Sequence, residues 1–456
     1  MATRVVPTGG EHTFGVDELC FSTTDGAGII KRANPVFVRV SHFSQEELVG
    51  APHSIVRHPN MPGGAFRVVW DMCLAGVPTC AYVQNLAADG SSYHVFATIA
   101  PLRDGFLSVQ MKPCRPDLQQ TAYSLYRTAR GHECAGRVAG GNKHKDARVG
   151  LGKLTELLAA AGYPSYVDFV LAALPAEVQA REKRSAGLPA RPRATGPLAS
   201  MLNGVRGIHD SLDELMHRLD RLGAVADQLG VAAARSQQTM RDLHSTASAA
   251  EEATGHLGGS VPTMVSTSRA ITTAVAESST ALDNLVANMG ELQANTSELR
   301  FRIALARLHT TMMGTFVAEL IDRSPGYEGA VHAIGDLCWV LEDGLDGTVL
   351  GLEENSARAA DALAEINSAS QSVTTAQQLL ANWRMLVTRN RVLAQVADFI
   401  PKVDAQVRKG HQDMVSLQRV AGSISMSTKP YDSGQLEQHL RQVRHALKQL
   451  ETQPVT

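Results

Sequence analysis

The stretch GAPHSIVRHPNMP, Gly50 to Pro62, sets two histidines, an arginine and three prolines in a run too broken to be a helix. Each proline fixes its own φ and restricts the residue before it, so the side chains between them are held in set directions. Rigidly presented guanidinium and imidazole groups suit an anionic or aromatic ligand. A polar loop can also be purely structural, its histidines resting on nearby carbonyls, and the loop alone leaves both readings open.

Working outward, ELCFSTTDGAGIIKRAN (Glu18–Asn34) reads as strand, Asp-Gly turn, strand. PVFVRVSHF and SQEELVG follow as short helices, the second opened by a capping box of Ser44 and Glu47 and closed by Gly50. After the loop, GAFRVVWDMCLAG has Phe66, Val69, Trp70 and Leu74 at helical spacing and Gly76 as its stop. TCAYVQNLA, SYHVFATIAPL and FLSVQMKPC are strands joined by hairpin turns at ADGSS and RDG. The order predicts an α+β domain over residues 1–118, a small antiparallel sheet with helices on one face and a pocket between the layers.

Residues 119–196 are expected to form a helical connector with a basic cluster from Arg127 to Arg148, ending in the Pro/Arg-rich linker KRSAGLPARPRATGP. From 197 to 456 the spacing becomes heptad. Ile208, Leu212, Leu215, Leu219, Leu222, Ala226 and Leu229 step by 4 and 3, as do Leu282, Leu285, Met289, Leu292, Thr296, Leu299 and Ile303. Leu352, Ala359, Ile366, Val373, Leu380 and Val387 recur every seven residues, with Ala362, Ala369, Ala376 and Trp383 between them. That pattern predicts an all-α coiled-coil hairpin, its arms antiparallel about a turn at DRSPGYEG, residues 322–329. LGGSVP (Leu257–Pro262) and Pro401 are expected to interrupt the arms. A two-helix hairpin leaves an apolar edge, so a homodimer through these helices is expected, completing a four-helix bundle.

The net charge of −2 gives no basic field for nucleic acid. No run of about 18 apolar residues points to a transmembrane segment, and a soluble cytoplasmic protein is expected. Cys20, Cys73, Cys80, Cys114, Cys134 and Cys338 lack CxxC spacing, against a zinc site or a disulfide framework. No nucleophile–base pair or phosphate loop stands out, so an enzyme is not expected.

The run from Phe21 to Trp70, FSTTDGAGIIKRANPVFVRVSHFSQEELVGAPHSIVRHPNMPGGAFRVVW, continued by YVQNLAADGSSYHVFATIAPL, closely resembles the PAS domain of bacterial aerotaxis receptors. The resemblance implies a pocket that holds FAD non-covalently and signals through its redox state. It places Asn34, Arg57, His58, Phe66, Trp70 and Asn85 at the flavin, while His53 reads as a structural loop contact that lies close enough to contribute. Phe66 and Trp70 are also what core packing would supply at helical spacing. The chain departs from the family at Asn60 (usually Asp), Thr79 (usually Trp) and QNL (usually KNR). Haem is an alternative cofactor, with His53, His58 and His94 as axial ligands. Cys73 lies outside the loop context that photoactive flavin PAS domains use.

LRFRIALARLHTTMMGTFVAEL (Leu299–Leu320) resembles the hairpin tip of methyl-accepting chemotaxis proteins in its spacing, with His309, Met313 and Phe316 where that family has polar kinase-contacting residues. ASAAEEATG, with Glu251 and Glu252, resembles part of a methylation site, or is simply an exposed acidic pair. The expected function is a redox or oxygen sensor, a flavin-PAS input coupled to a degenerate chemoreceptor-like helical output with a signalling protein as partner. The alternative is a scaffolding PAS–coiled-coil protein without flavin.

Overall fold

The computed structural model describes residues 5–138, 143–256, 261–326, 329–427 and 433–452. The chain divides into two compact bodies. One comprises Met1–Met216, Arg300–Thr348 and Asp432–Thr456; the other comprises His217–Leu299 and Val349–Tyr431.

The first body opens with β1 (Leu19–Thr24), β2 (Ile30–Ala33), α1 (Pro35–Ser41), α2 (Gln45–Leu48), a single 3-10 turn at His53–Val56 and α3 (Gly63–Leu74). Then come β3 (Thr79–Leu86), β4 (Ser92–Leu102) and β5 (Gly105–Met111). The strands form one antiparallel sheet in the order β2-β1-β5-β4-β3, that of a PAS domain. The local signals are honoured. Asn34 caps α1 with Pro35 at its first turn, Ser44 and Glu47 make the capping box of α2, and Gly50 and Gly76 turn the chain at positive φ.

Residues expected as a connector form α4 (Pro116–Val138), α5 (Lys143–Ala160) and α6 (Tyr166–Glu182), all packed on the PAS core. Buried Glu133 of α4 accepts from Gly63 N at 2.9 Å and Gly64 N at 2.8 Å, capping α3 with a carboxylate where its own N-cap, Pro62, has no side-chain donor or acceptor. Gly64 is required by the crossing, since a Cβ there would lie 2.3 Å from Leu151 N of α5. On the sheet's far side, buried Glu177 of α6 accepts from Tyr82 OH at 2.7 Å, Cys114 N at 2.6 Å and Arg115 N at 3.0 Å. Tyr166 OH donates to Cys80 O at 2.9 Å beside it. The sheet is therefore covered on both faces, not on one as the sequence suggested.

Beyond α6 the linker is ordered: Ala186 N donates to Asp17 at 2.8 Å, and Arg191 pairs with Asp322. The long helices are α7 (Gly196–Gly255), α8 (Pro262–Asp322) and α9 (Ala330–Arg389), followed by α10 (Leu393–Val396), α11 (Ile400–Ser427) and α12 (Gly434–Thr452). Among the described residues, no helix is long and apolar enough to cross a membrane.

In the second body the contact ladders run antiparallel. Gln293 meets Asp227 and Arg269 meets Glu251 between α8 and α7; Asn295 meets Gly351 and Ser278 meets Ala369 between α8 and α9. Gln418 reaches Ser370 between α11 and α9, and Thr239 reaches Asp413 between α7 and α11. The helical bundle expected from the heptads is present, with two more reversals than the hairpin reading allowed. The chain turns between Gly255 and Pro262 and again between Arg389 and Ile400, as well as between α8 and α9. Composition alone cannot separate a kink in one arm from a turn between two, because Gly and Pro serve both. Of the two breaker segments, Leu257–Ser260 lie outside the described residues, as do Tyr327 and Glu328 of the α8–α9 turn.

The seam residues Ala359, Ile366, Val373, Leu380, Trp383 and Val387 are buried within this single chain.

Removing Glu177 would strand a tyrosine hydroxyl and two backbone amides in the interior. Glu177→Ala should cost roughly 3 kcal/mol in chemical denaturation, and Glu177→Gln less, because one acceptor survives. Equal stability of the alanine variant and the wild type would show that α6 is not held this way.

Candidate functional site

Side chains of the sheet's inner face and of α3 enclose a cavity of about 290 Å³, at the lower edge of small-molecule sites (about 300–1,000 Å³). Val83 and Asn85 come from β3, Val95, Ala97 and Ile99 from β4, Phe106, Ser108 and Gln110 from β5, and Thr24 from β1. The spacing of two in β3, β4 and β5 is the pleat itself. α3 contributes Phe66, Val69, Trp70 and Cys73, one turn apart on its inward face. Trp70 stands edge-on to Phe106 with ring centroids 5.3 Å apart. Gly28, at φ 78°, lets the indole lie against the β1–β2 turn, since a Cβ there would come within 3.0 Å of the ring.

The rigid loop forms the cavity's rim. Pro52, His53, Ser54 and Arg57 line it, and Arg57 is bridged through its backbone to Asn85. The Arg57 guanidinium donates to Met61 O at 3.1 Å and lies 4.0 Å over the Phe66 ring. Burial pulls its pKa down from the ordinary arginine range, with nearby Glu133 opposing. His53 stacks beside Phe37 at 5.8 Å, with Nε2 3.2 Å from Ser22 Oγ, and burial drops its pKa to about 4. Burial also holds the Cys73 thiol at about 12, so it stays protonated.

Outside this rim runs an open groove of about 1850 Å³ that shares Ser54, Arg57, Phe66 and Trp70 with the cavity. His58, Arg67 and Arg130 line the groove. Buried His58 accepts at Nδ1 from Asn60 N at 3.1 Å, and burial followed by the neighbouring His94 lowers its pKa.

Of the seven sequence-named residues, His53, Arg57, Phe66, Trp70 and Asn85 meet at the inner cavity and His58 at the groove. Asn34 is a correction, because it does not line either space. Its Oδ1 accepts from Phe21 N at 2.9 Å and Phe37 N at 3.0 Å while its Nδ2 donates to Leu19 O at 2.9 Å, so its amide is spent tying β1 to α1. Neither Asn60 nor Thr79 lines the cavity or the groove.

Two residues that the sequence reading missed carry the strongest chemical signal. Thr24 Oγ1 and Gln110 Oε1 are buried without a hydrogen-bond partner, and both residues line the cavity. A buried unpaired polar atom costs roughly 1–3 kcal/mol, so such a pair in one apolar chamber is what a ligand's polar edge would satisfy. Ser108 and Gln110, alternating with Leu107, Val109 and Met111, were the available sign in the sequence. The donors and acceptors of Asn85, Gln110 and Thr24 between aromatic walls suit the rim of a flat heteroaromatic ring such as a flavin. The groove outside mixes cations with carboxylates, Arg67 pairing with Asp71 and Arg130 with Glu133. For haem the arrangement is poorer. His94 is engaged with Tyr123 OH at 2.7 Å away from the cavity, and His53, which does line it, has its Nε2 beside Ser22.

An aerotaxis receptor of Escherichia coli strain K12 is 41% identical to this chain over 96 residues, 21% of this chain and 19% of that receptor. The chain therefore spans about a fifth of the relative's length. No family model matches the chain.

The neutral state of His53 has a consequence for stability. Its pKa falls from an ordinary 6.5 to about 4 on folding, so between those values the unfolded chain takes up a proton that the native protein does not. Stability should therefore fall as pH drops from 6.5 towards 4. Buried His309, depressed to about 3, acts in the same direction. Denaturation of His53→Gln across this window should give a shallower loss than wild type; parallel curves would show that the ring titrates normally.

Proposed function

We propose that this protein is a sensory signal-transduction protein whose PAS domain binds FAD and reports redox state or oxygen, with the helical body as a chemoreceptor-like output. The observation that carries this reading is the pairless Thr24 Oγ1 and Gln110 Oε1 inside an aromatic-walled cavity capped by Arg57. The similarity to an aerotaxis receptor over 96 residues supports it. When bound, the flavin supplies a redox-dependent change of charge and hydrogen bonding at its ring edge.

The residues here have separable tasks. Phe66 and Trp70 provide flat walls, and Asn85 and Gln110 orient the ring through hydrogen bonds that a change at its edge would strengthen or weaken. Arg57, desolvated and held by Met61 O, places a fixed positive charge at the mouth. No step of catalysis is assigned to these groups; the protein is read as a sensor, not an enzyme. The output partner is read as a signalling protein other than one that grips a chemoreceptor tip through polar side chains. His309, Met313 and Phe316 stand at those places and all are buried.

The absorbance spectrum of the purified full-length protein tests the assignment. A flavin spectrum that bleaches with dithionite is expected, with acid release giving FAD. Asn85→Ala and Gln110→Leu should each lower flavin occupancy about tenfold, as loss of a buried hydrogen-bonded contact predicts, while circular dichroism stays helical. A colourless protein would favour the scaffolding alternative.

A further inference from the structure

Strand β1 serves two neighbours at once. On its inner side Thr24 lines the cavity and Ser22 meets His53, which lines it too. On its outer side Phe21 receives Phe316 of α8 edge-on, with ring centroids 5.0 Å apart. β2 pairs with β1 through Thr23 opposite Arg32, and the Arg32 guanidinium lies 2.7 Å from Asp336 of α9. Gly326, in the turn joining the two helices, sits so close to Pro35 that a Cβ would lie 2.9 Å from the proline ring. Trp339 of α9 lies under Arg103, which follows β4, at 5.7 Å. The tip of the α8–α9 hairpin is thus seated on the outer face and edge of the same sheet whose inner face forms the cavity.

We infer that this seat is the molecule's output contact: the α8–α9 tip is docked in cis on β1 and β2, and a change in the cavity that shifts β1 reseats or releases the tip. The inference rests on the sensory reading only in supposing that the cavity changes state. A ligand can bias such an equilibrium only through an element that both sites touch, and β1 is that element. Thr24 gains a partner when the cavity fills, and three residues away Phe21 carries the packing against α8. The polar half of the seat is finely balanced. Burial raises the Asp336 carboxyl and Arg32 lowers it, and both side chains stay partly exposed, so the ion pair holds the seat only weakly. A contact of that kind opens at modest cost, as a switch requires. Docking also covers buried Phe316 against Phe21, so release would uncover that apolar ring.

Hydrogen–deuterium exchange of the full-length protein tests this by following peptides within Arg300–Thr348. Arg32→Glu should speed their exchange about tenfold, and the charge-swapped pair Arg32→Glu with Asp336→Arg should restore protection. Failure of the swap to rescue would overturn the docking contact. Thr24→Leu, which fills the cavity side of β1, should change exchange in the same peptides while leaving α11 unchanged. A folded Thr24→Leu protein with wild-type exchange at the tip would overturn the coupling. If the protein carries flavin, dithionite should shift those peptides as well, and reduction without such a shift counts equally against the coupling. Absence of flavin would defeat the cofactor assignment alone, since the Thr24 and Arg32 arms still decide this inference.

Discussion

Along a β-strand successive side chains leave on opposite faces, so each strand that gives a wall to the cavity must give its neighbours to the opposite surface. β3 sends Val83 and Asn85 inward and Tyr82 outward, and β4 sends Ala97 inward and Phe96 outward to Tyr82, 4.8 Å away. β1 does the same with Thr24 and Phe21. A sheet with that much apolar area on both sides needs two covers. α3 and the rigid loop provide one, while α6 and the α8–α9 tip provide the other. Cavity and helices are therefore two sides of one layer, and a shift of register would exchange their residues wholesale.

Buried carboxylates fasten those covers. Glu133 and Glu177 each accept from backbone amides at points where the chain has donors to spare, the start of α3 and the exit from β5. Charged acceptors for amide donors make stronger hydrogen bonds than neutral ones, and they fix orientation as well as distance. This is why α4 to α6, which composition suggests as a solvated connector, behave as part of the PAS core. Arg130, in the basic stretch, is spent on Glu133 at 3.1 Å.

In the helical region the same accounting applies within one chain. Four long antiparallel segments of one chain bury the seams that two would leave open, with small residues such as Ala359, Ala362 and Ala369 allowing close approach. Polar rungs, including Asn295 with Asn355 at 2.9 Å and Thr296 with Asn355 at 3.2 Å, sit among apolar layers. Such buried polar pairs favour one register over its neighbours, because a slip by a turn would strand them.

The sequence by itself determined what is local or periodic: the caps at Asn34 and Ser44, the turn glycines, the strand and helix order of the PAS domain, and the heptad seams. It drew attention to His53 and Arg57 through the stiff loop, and to Phe66, Trp70 and Asn85 only through the resemblance that the loop motif carries; all five line the cavity. Tertiary structure alone decided what depends on separations of tens to hundreds of residues. Asn34 is consumed by β1 and α1, and Thr24 and Gln110 become cavity walls because β1 and β5 pair with Cys20 opposite Gln110. Phe316 meets Phe21 only because the α8–α9 reversal returns to the sheet. Residue type and spacing report which face of an element is apolar; they do not report which distant element will cover it, because that choice is made by packing and by the pairing of buried polar groups.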